Sequence, residues 1–395
     1  MVCQLCSIDT SSKTKAMRHL SLLLVVLSSL LISCAPEVAS ISKPKKEKQK
    51  AKIQVALCLD TSNSMDGLID QAKSQLWKMV NELATTQKDG EIPDIELALY
   101  EYGNSNLSAT QGYVRQVSAL TTDLDMISEK LFELQTNGGS EYCGWTIQEA
   151  TDSLTWSDDK KDLKLIIIAG NEPFTQGRVD YKIACKAAVD KDIIINTIYC
   201  GNYDEGIRDY WENGATLGQG KYMNIDTDAK VVHIETPFDN EILELNRQLN
   251  DTYISYGKVG RSRKEMQQRQ DANAASYGAA NNVERAVSKA KPAYKNESWD
   301  LVDATQADDD VLESIPEENL PEAMKDMTKA EQKTFIEEKS EARKKLQAQI
   351  SELNNKRQEY ITQKQKEDAE SLTLDNVMLK AIREQAEAKD FLKKE

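Results

Sequence analysis

Residues Lys52–Met65 read KIQVALCLDTSNSM. A largely apolar run from Ile53 to Leu59 stops at an acid, Asp60, and a hydroxyl-rich turn. A run of that length bounded by a turn signal predicts a strand buried on both faces, as in a parallel sheet. The turn, Asp60-Thr61-Ser62-Asn63-Ser64, has the pattern Asp-x-Ser-x-Ser. An aspartate and two serines at alternate positions aim three hard oxygens at one point just past the strand end. Such oxygens suit Mg²⁺, Mn²⁺ or Ca²⁺ rather than zinc. In a competing reading Asp60 or Ser62 merely caps the helix that follows. The strand before the turn and the helix after it favour the metal.

Downstream, strands and helices alternate. Met65–Ala84 carries Leu68, Ile69, Ala72, Leu76, Met79, Val80 and Leu83 at helical spacing. Ile95–Tyr102, Tyr113–Val117, Leu163–Ala169, Ile193–Cys200 and Lys221–Ile225 read as strands, with Leu163–Ala169 the most apolar and so central. Leu124–Leu134, Cys143–Leu154, Ile183–Val189 and Ile207–Leu217 read as helices between them. This predicts an α/β fold, a doubly wound and mostly parallel sheet covered on both faces. Ligands of such sheets bind beyond the strands' C-terminal ends. Asp60, the loop 136–143 and the loop 170–174 are all expected there.

The Asp60–Ser64 turn, then Gly138-Gly139-Ser140, then Ile166–Pro173 together resemble a von Willebrand factor type A domain. The resemblance covers about residues 52–230 and includes that family's three-loop metal-ion-dependent adhesion site. It implies Asp60, Ser62 and Ser64 as first-loop ligands. Ser140 stands for the second-loop threonine. In the third loop the family commonly reads Thr-Asp-Gly-Glu, whereas this chain reads Ala169-Gly170-Asn171-Glu172. Gly170 offers no side-chain oxygen, so Glu172, two residues on, is the expected third-loop ligand, directly or through water. The competing reading of Glu172 is an exposed loop acid. The family uses such a site for protein–protein adhesion and assembly, usually without catalysis, with a partner's carboxylate filling an open position on the ion. Glu141, Tyr142, Trp145, Phe174, Tyr203 and Trp211 are expected to form the rim. Trp145 and Trp211 serve equally well as packing between helices and sheet.

Upstream of Lys52, Arg18-His19 precede an apolar run from Leu20 to Ile32. That is the order of a secretory signal, and the run is short for a membrane span. It ends Leu31-Ile32-Ser33-Cys34, which resembles a bacterial lipobox. The resemblance implies cleavage after residue 33 and lipidation of Cys34, with Met17 the expected start. Ala35, not aspartate, follows, which resembles an outer-membrane address. Residues 34–51 are Lys-rich and read as a flexible tether.

The formal net charge is −15, and removing residues 1–33 makes the remainder more acidic still. This argues against a nucleic-acid partner and against electrostatic adhesion to anionic lipid. Beyond Cys34, the cysteines are Cys58, Cys143, Cys185 and Cys200. An even set in an oxidising compartment can pair in three ways. Cys143 with Cys200 is the favoured pairing, both being expected near the sheet's C-terminal edge.

With the sheet domain at 52–236, residues 237–310 read as a helical extension and 311–395 as a long-helix region. Phe238–Tyr256 is amphipathic. Arg261–Lys291 reads as a long solvated helix, ended by Pro292. Asp308–Asp310 lacks the glycine and spaced acids of a calcium loop and reads as a solvated turn. Lys329–Lys366 shows a heptad register through Ile336, Leu346, Ile350, Leu353 and Tyr360, interrupted by Lys339, Arg343 and Arg357. A strict seam would be apolar throughout, so the segment reads as a hairpin arm or a weak partner-binding stalk. Only two histidines occur, His19 in the signal and His233 alone. No triad, P-loop or HExxH pattern is present, so the chain is expected not to be an enzyme. The expected function is a lipid-anchored envelope binding protein. Its cation would capture an acidic side chain of another envelope protein. A metal-free scaffold using the helical arm is the alternative.

Overall fold

The computed structural model describes residues 50–225, 234–367 and 374–393. The signal, Cys34, most of the tether and His233 lie outside the described residues. Strand β1, Lys52–Asp60, is buried from Ile53 onward. Its side chains alternate between two cores. Val55, Leu57 and Leu59 face one, and Ala56 and Cys58 face the other. Two apolar faces on one strand require cover on both sides, which parallel crossover connections supply.

The remaining strands are β2 (Thr86–Gln87), β3 (Asp94–Tyr102), β4 (Val114–Thr121), β5 (Leu163–Gly170), β6 (Ile194–Cys200), β7 (Gln219–Ile225) and β8 (Leu392–Lys393). Six form one sheet in the order β4-β3-β1-β5-β6-β7. Only β4 runs antiparallel, on β3 at the edge. The chain turns back at β1, so the crevice at the C-terminal ends of β1 and β5 is the topological switch point. The strands expected from the sequence are all present, and the sheet is mostly parallel as expected.

On one face lie α1 (Asp66–Leu83) and α2 (Leu124–Glu133); on the other, α3 (Cys143–Ser153), α4 (Tyr181–Asp190) and α6 (Trp211–Leu217). The expected helix Ile207–Leu217 is instead two, α5 (Tyr203–Arg208) and α6. Tyr210 breaks them at a φ of 68°.

Beyond residue 234 the chain is helical: α7 (Asp239–Asn250), α8 (Gly257–Ser276), α9 (Ala279–Lys289), α10 (Leu301–Ala307), α11 (Val311–Ser314), α12 (Glu322–Lys325), α13 (Lys329–Glu367) and α14 (Leu374–Ala388). Helices α7, α8, α9, α13 and α14 share a hydrophobic core with α1 and the sheet, α10–α12 pack with the start of α13 around a smaller one, and the described residues form one compact unit. Two expectations change here. Arg261–Lys291 is not one solvated helix: Gly278, at a φ of 106°, splits it, and α9 is buried along most of its length. The long helix α13 is not a free arm. Its Ile336, Leu346, Ile350 and Leu353 are buried, and it lies against α7, α9 and α10.

The charges that break the α13 heptad explain the difference. Arg343 pairs with Asp300 at 2.7 Å and Asp303 at 2.6 Å, and stacks on Tyr253 at 4.0 Å. Arg357 bridges Asp239 and Glu284. Lys339 reaches the Asp251 carbonyl. On α9, Arg285 is fully buried. It pairs with Asp125 of α2 at 2.7 Å and Asp271 of α8 at 3.0 Å, and stacks on Trp77 of α1 at 4.3 Å. Lys289, also fully buried, pairs with Asp271 at 2.8 Å. Charges that read as solvent-facing in sequence are thus the bolts between helical layers.

All four described cysteines are free and buried, so the expected Cys143–Cys200 disulfide is not formed. Burial pushes all four thiols up. The Cys143 thiol points instead at the Tyr102 hydroxyl, 3.9 Å away.

Removing one partner of a buried ion pair strands the other, at a cost of about 3–5 kcal/mol. Arg285→Ala is therefore expected to lower the unfolding free energy measured in denaturant melts by that much. Lys130→Ala, in an exposed pair with Glu133, is expected to cost under about 1 kcal/mol. Burial alone would raise the Asp271 carboxyl, but Lys289 and Arg285 outweigh it and hold it below its ordinary value. Its stabilisation is complete above the ordinary carboxylate pKa and fades as pH falls toward the depressed one. Asp271→Asn should flatten that acid limb in a pH series of melting curves.

Candidate functional site

Asp60 ends β1 and is fully buried. The parallel register puts it beside Tyr102 at the end of β3, and Leu59 beside Ala169 of β5. Three strand ends therefore deliver their loops to one place. The Ser62 backbone N–H donates to Asp60 Oδ1 at 2.7 Å, which folds the turn back over the carboxylate. Asp60 Oδ2 is buried with no hydrogen-bond partner. Ser62 Oγ and Ser64 Oγ lie 3.3 Å apart, so the first-loop hydroxyls converge as expected.

The loop 136–141 is stitched to this turn. The Asn137 N–H donates to the Thr61 carbonyl at 2.9 Å, and Thr136 Oγ1 donates to Asp66. Ser140 is half-buried on this loop, next to Glu141. Glu141 is buried, and its Oε2 has no partner. The third loop brings Asn171, whose Nδ2 donates to Ser64 Oγ at 3.1 Å while its Oδ1 is buried without a partner. Glu172 is half-buried; its carboxylate accepts from Gln176 Nε2 at 3.2 Å.

Gly170 has a steric reason for standing where the resemblance expects aspartate. A Cβ there would lie 2.4 Å from the Tyr102 hydroxyl and 3.1 Å from Asp60 Oδ2. The Tyr102 hydroxyl is held in place, donating to the Ala169 carbonyl at 2.8 Å. A fourth loop, directly after β3, completes the floor. Gly103 has a φ of 78°, and a Cβ on it would lie 2.7 Å from both Asp60 Oδ1 and Glu141 Cγ. Its carbonyl also sits where a Cβ on Gly139 would be. The signal available in sequence was a glycine directly after the strand Ile95–Tyr102.

The rim is smaller than expected. Phe174 and Trp211 are fully buried, their rings 4.9 Å apart at the foot of α6. They are core residues, the alternative weighed for Trp211. Trp145 is half-buried under Arg178, 4.9 Å from its ring, and Tyr142 packs edge-on against Tyr113. Tyr203 is 47% exposed.

Burial pushes the Asp60 carboxyl up, and it pushes Glu141 up further because Asp60 faces it. Without a cation, two such carboxylates share a proton. Among the described residues no three His, Cys, Asp or Glu side chains gather to hold a metal by themselves. A cation here needs hydroxyl and amide oxygens as well. Those are present: three buried acceptor oxygens without partners (Asp60 Oδ2, Glu141 Oε2, Asn171 Oδ1) and two serine hydroxyls. This all-oxygen set fits a hard divalent ion.

The sheet order, with the Asp-x-Ser-x-Ser loop at its switch point, is a doubly wound α/β arrangement like that of von Willebrand factor type A domains. No protein-family model matches the chain, and no curated protein matches it. Among solved structures it is similar to the conserved hypothetical protein BatB from Bacteroides thetaiotaomicron, at 18% identity and a TM-score of 0.34, over 44% of this chain and 90% of that one. It is similar to the SpRpn10 VWA domain at 16% and 0.34, over 45% and 90%. It is also similar to proximal thread matrix protein 1 from the mussel byssus, solved with a zinc-occupied MIDAS motif, at 12% and 0.33, over 45% and 43%. At these identities the likeness is one of fold alone.

Gly170→Ala is expected to cost about 1–3 kcal/mol by overpacking. Tyr102→Phe removes the atom it strikes, so the double variant should lose less than the two singles summed. Denaturant melts of the four proteins check this; strict additivity would refute the contact.

Proposed function

We propose that this chain is a cell-envelope lipoprotein whose von Willebrand-type domain binds another protein through a divalent cation held at Asp60, Ser62 and Ser64, with Ser140 and Glu172 contributing from the neighbouring loops. The observation that carries the reading is the buried Asp60 Oδ2 with no partner, at the mouth of the switch-point crevice. A carboxylate taken out of water needs a compensating partner, and around it lie two serine hydroxyls, a second carboxylate and an amide oxygen. Mg²⁺, Mn²⁺ or Ca²⁺ suits them.

The domain's part is to hold these oxygens in place and leave one side open. Ser64 is exposed while Ser62 is buried, so the open side is toward Ser64. When bound, the ion supplies positive charge there, matched to a partner's Asp or Glu. Exposed Tyr203, with Tyr142 and Trp145 at the same edge of the sheet, offers aromatic surface for the rest of the contact. The role is capture, not turnover.

Anchoring is through Cys34, on the outer membrane. Among the described residues no helix is long and apolar enough to cross a membrane. The tether to residue 51 gives the domain reach from the bilayer.

Two measurements test this. Envelope partners retained by the purified chain should be released by EDTA, restored by Mg²⁺ or Mn²⁺, and lost in Asp60→Ala; capture that survives both chelation and Asp60→Ala sinks the reading. Cells fed labelled palmitate should label the protein at Cys34 and lose both label and membrane association in Cys34→Ala.

A further inference from the structure

We propose that Glu141 is a direct carboxylate ligand of the cation at Asp60, supplying the negative charge that Gly170 removes from the third loop. The inference rests on the divalent-ion reading above and adds a ligand to it.

Glu141 is 4% exposed, yet its Oε2 has no hydrogen-bond partner, and Asp60 Oδ2 beside it has none either. The two side chains close over Gly103, within 2.7 Å of the same point above its Cα. Two buried carboxylates in that arrangement cannot both carry charge unless a cation lies between them; without one they share a proton. Elsewhere the chain answers a buried acid with a base. Glu101 meets Arg115 at 2.5 Å, Asp125 meets Arg285 at 2.7 Å and Asp300 meets Arg343 at 2.7 Å. No Lys or Arg among the described residues pairs with Asp60 or Glu141. What the pair lacks is a positive charge too small to need a side chain, and a divalent ion is that charge.

Gly170 shows why the acid comes from this loop. The Tyr102 hydroxyl and Asp60 fill the place of a third-loop side chain. Glu141 instead reaches Asp60 over Gly103. Asn171 Oδ1, also buried and unpartnered, adds a neutral oxygen from the third loop. With Ser140 adding a hydroxyl and Glu172 acting through water, the direct set is two carboxylates, three serine hydroxyls and one amide oxygen. Its charge balances a divalent ion.

The test is Mn²⁺ binding by the full chain, with the metal alone as probe. Loss of the free-ion electron paramagnetic resonance signal measures binding, and the metal-induced rise in melting temperature gives a second readout. Glu141→Gln keeps the shape and removes the charge; it should weaken Mn²⁺ binding by roughly 10–100-fold and shrink the melting shift. Its melting temperature in EDTA should not fall below that of the unaltered chain. Glu141→Asp, with a shorter arm, should weaken binding to a lesser degree and serves if the glutamine variant misfolds. Glu133→Gln removes one exposed charge and should change nothing. Asp60→Ala should abolish binding. If Asp60→Ala abolishes it and neither Glu141 variant weakens it, Glu141 is no ligand and the proposal fails while the metal reading stands. If the unaltered chain binds no Mn²⁺, both fail.

Discussion

A carboxylate placed at the end of a strand that is buried on both faces has few ways to be satisfied. Asp60 is in that position, and its surroundings follow from it. One oxygen takes the backbone N–H of Ser62, which bends the first loop over the strand end. The other is left facing the crevice. Gly103, Gly139 and Gly170 stand where neighbouring loops approach this group too closely for a Cβ. The arrangement leaves buried polar atoms without partners at the C-terminal end of the sheet, which is characteristic of sites kept for a ligand rather than for stability.

Stability is supplied elsewhere. The helices after residue 234 add a layer over α1 and α2, joined by a shared apolar core and by buried arginines and a buried lysine. Such pairs are weak as net stabilisers but severe when broken, so they favour one docking of the layers over its alternatives. The C-terminus then returns to the opposite end of the sheet. Strand β8 pairs with β2, Phe391 is buried under Lys88, and Asn196 and Gln385 exchange two hydrogen bonds. These ties lie at the N-terminal ends of the strands. The loop edge bearing Asp60 is left free.

Among the described residues, Ser64 at that edge is exposed. The long helix, which in isolation resembles a stalk, is part of the scaffold and presents only its charged outer side.

How much was legible in the sequence depends on the range of each interaction. The strand Ile53–Leu59, the alternation after it and the Asp-x-Ser-x-Ser turn are local patterns. Period-two burial and turn chemistry act over a few residues, so the sheet and its first loop could be read directly. Arg285, Arg343 and Arg357 could not. A charge in a polar helix carries no local mark of whether its partner lies a hundred residues away, so α8, α9 and α13 read as solvated. The pairing of Glu141 with Asp60, the core positions of Phe174 and Trp211, and the free thiols of Cys143 and Cys200 were likewise decided only by the packing of strand ends. Side-chain direction at a loop is set by what the neighbouring loops leave open, and one-dimensional sequence does not record that space.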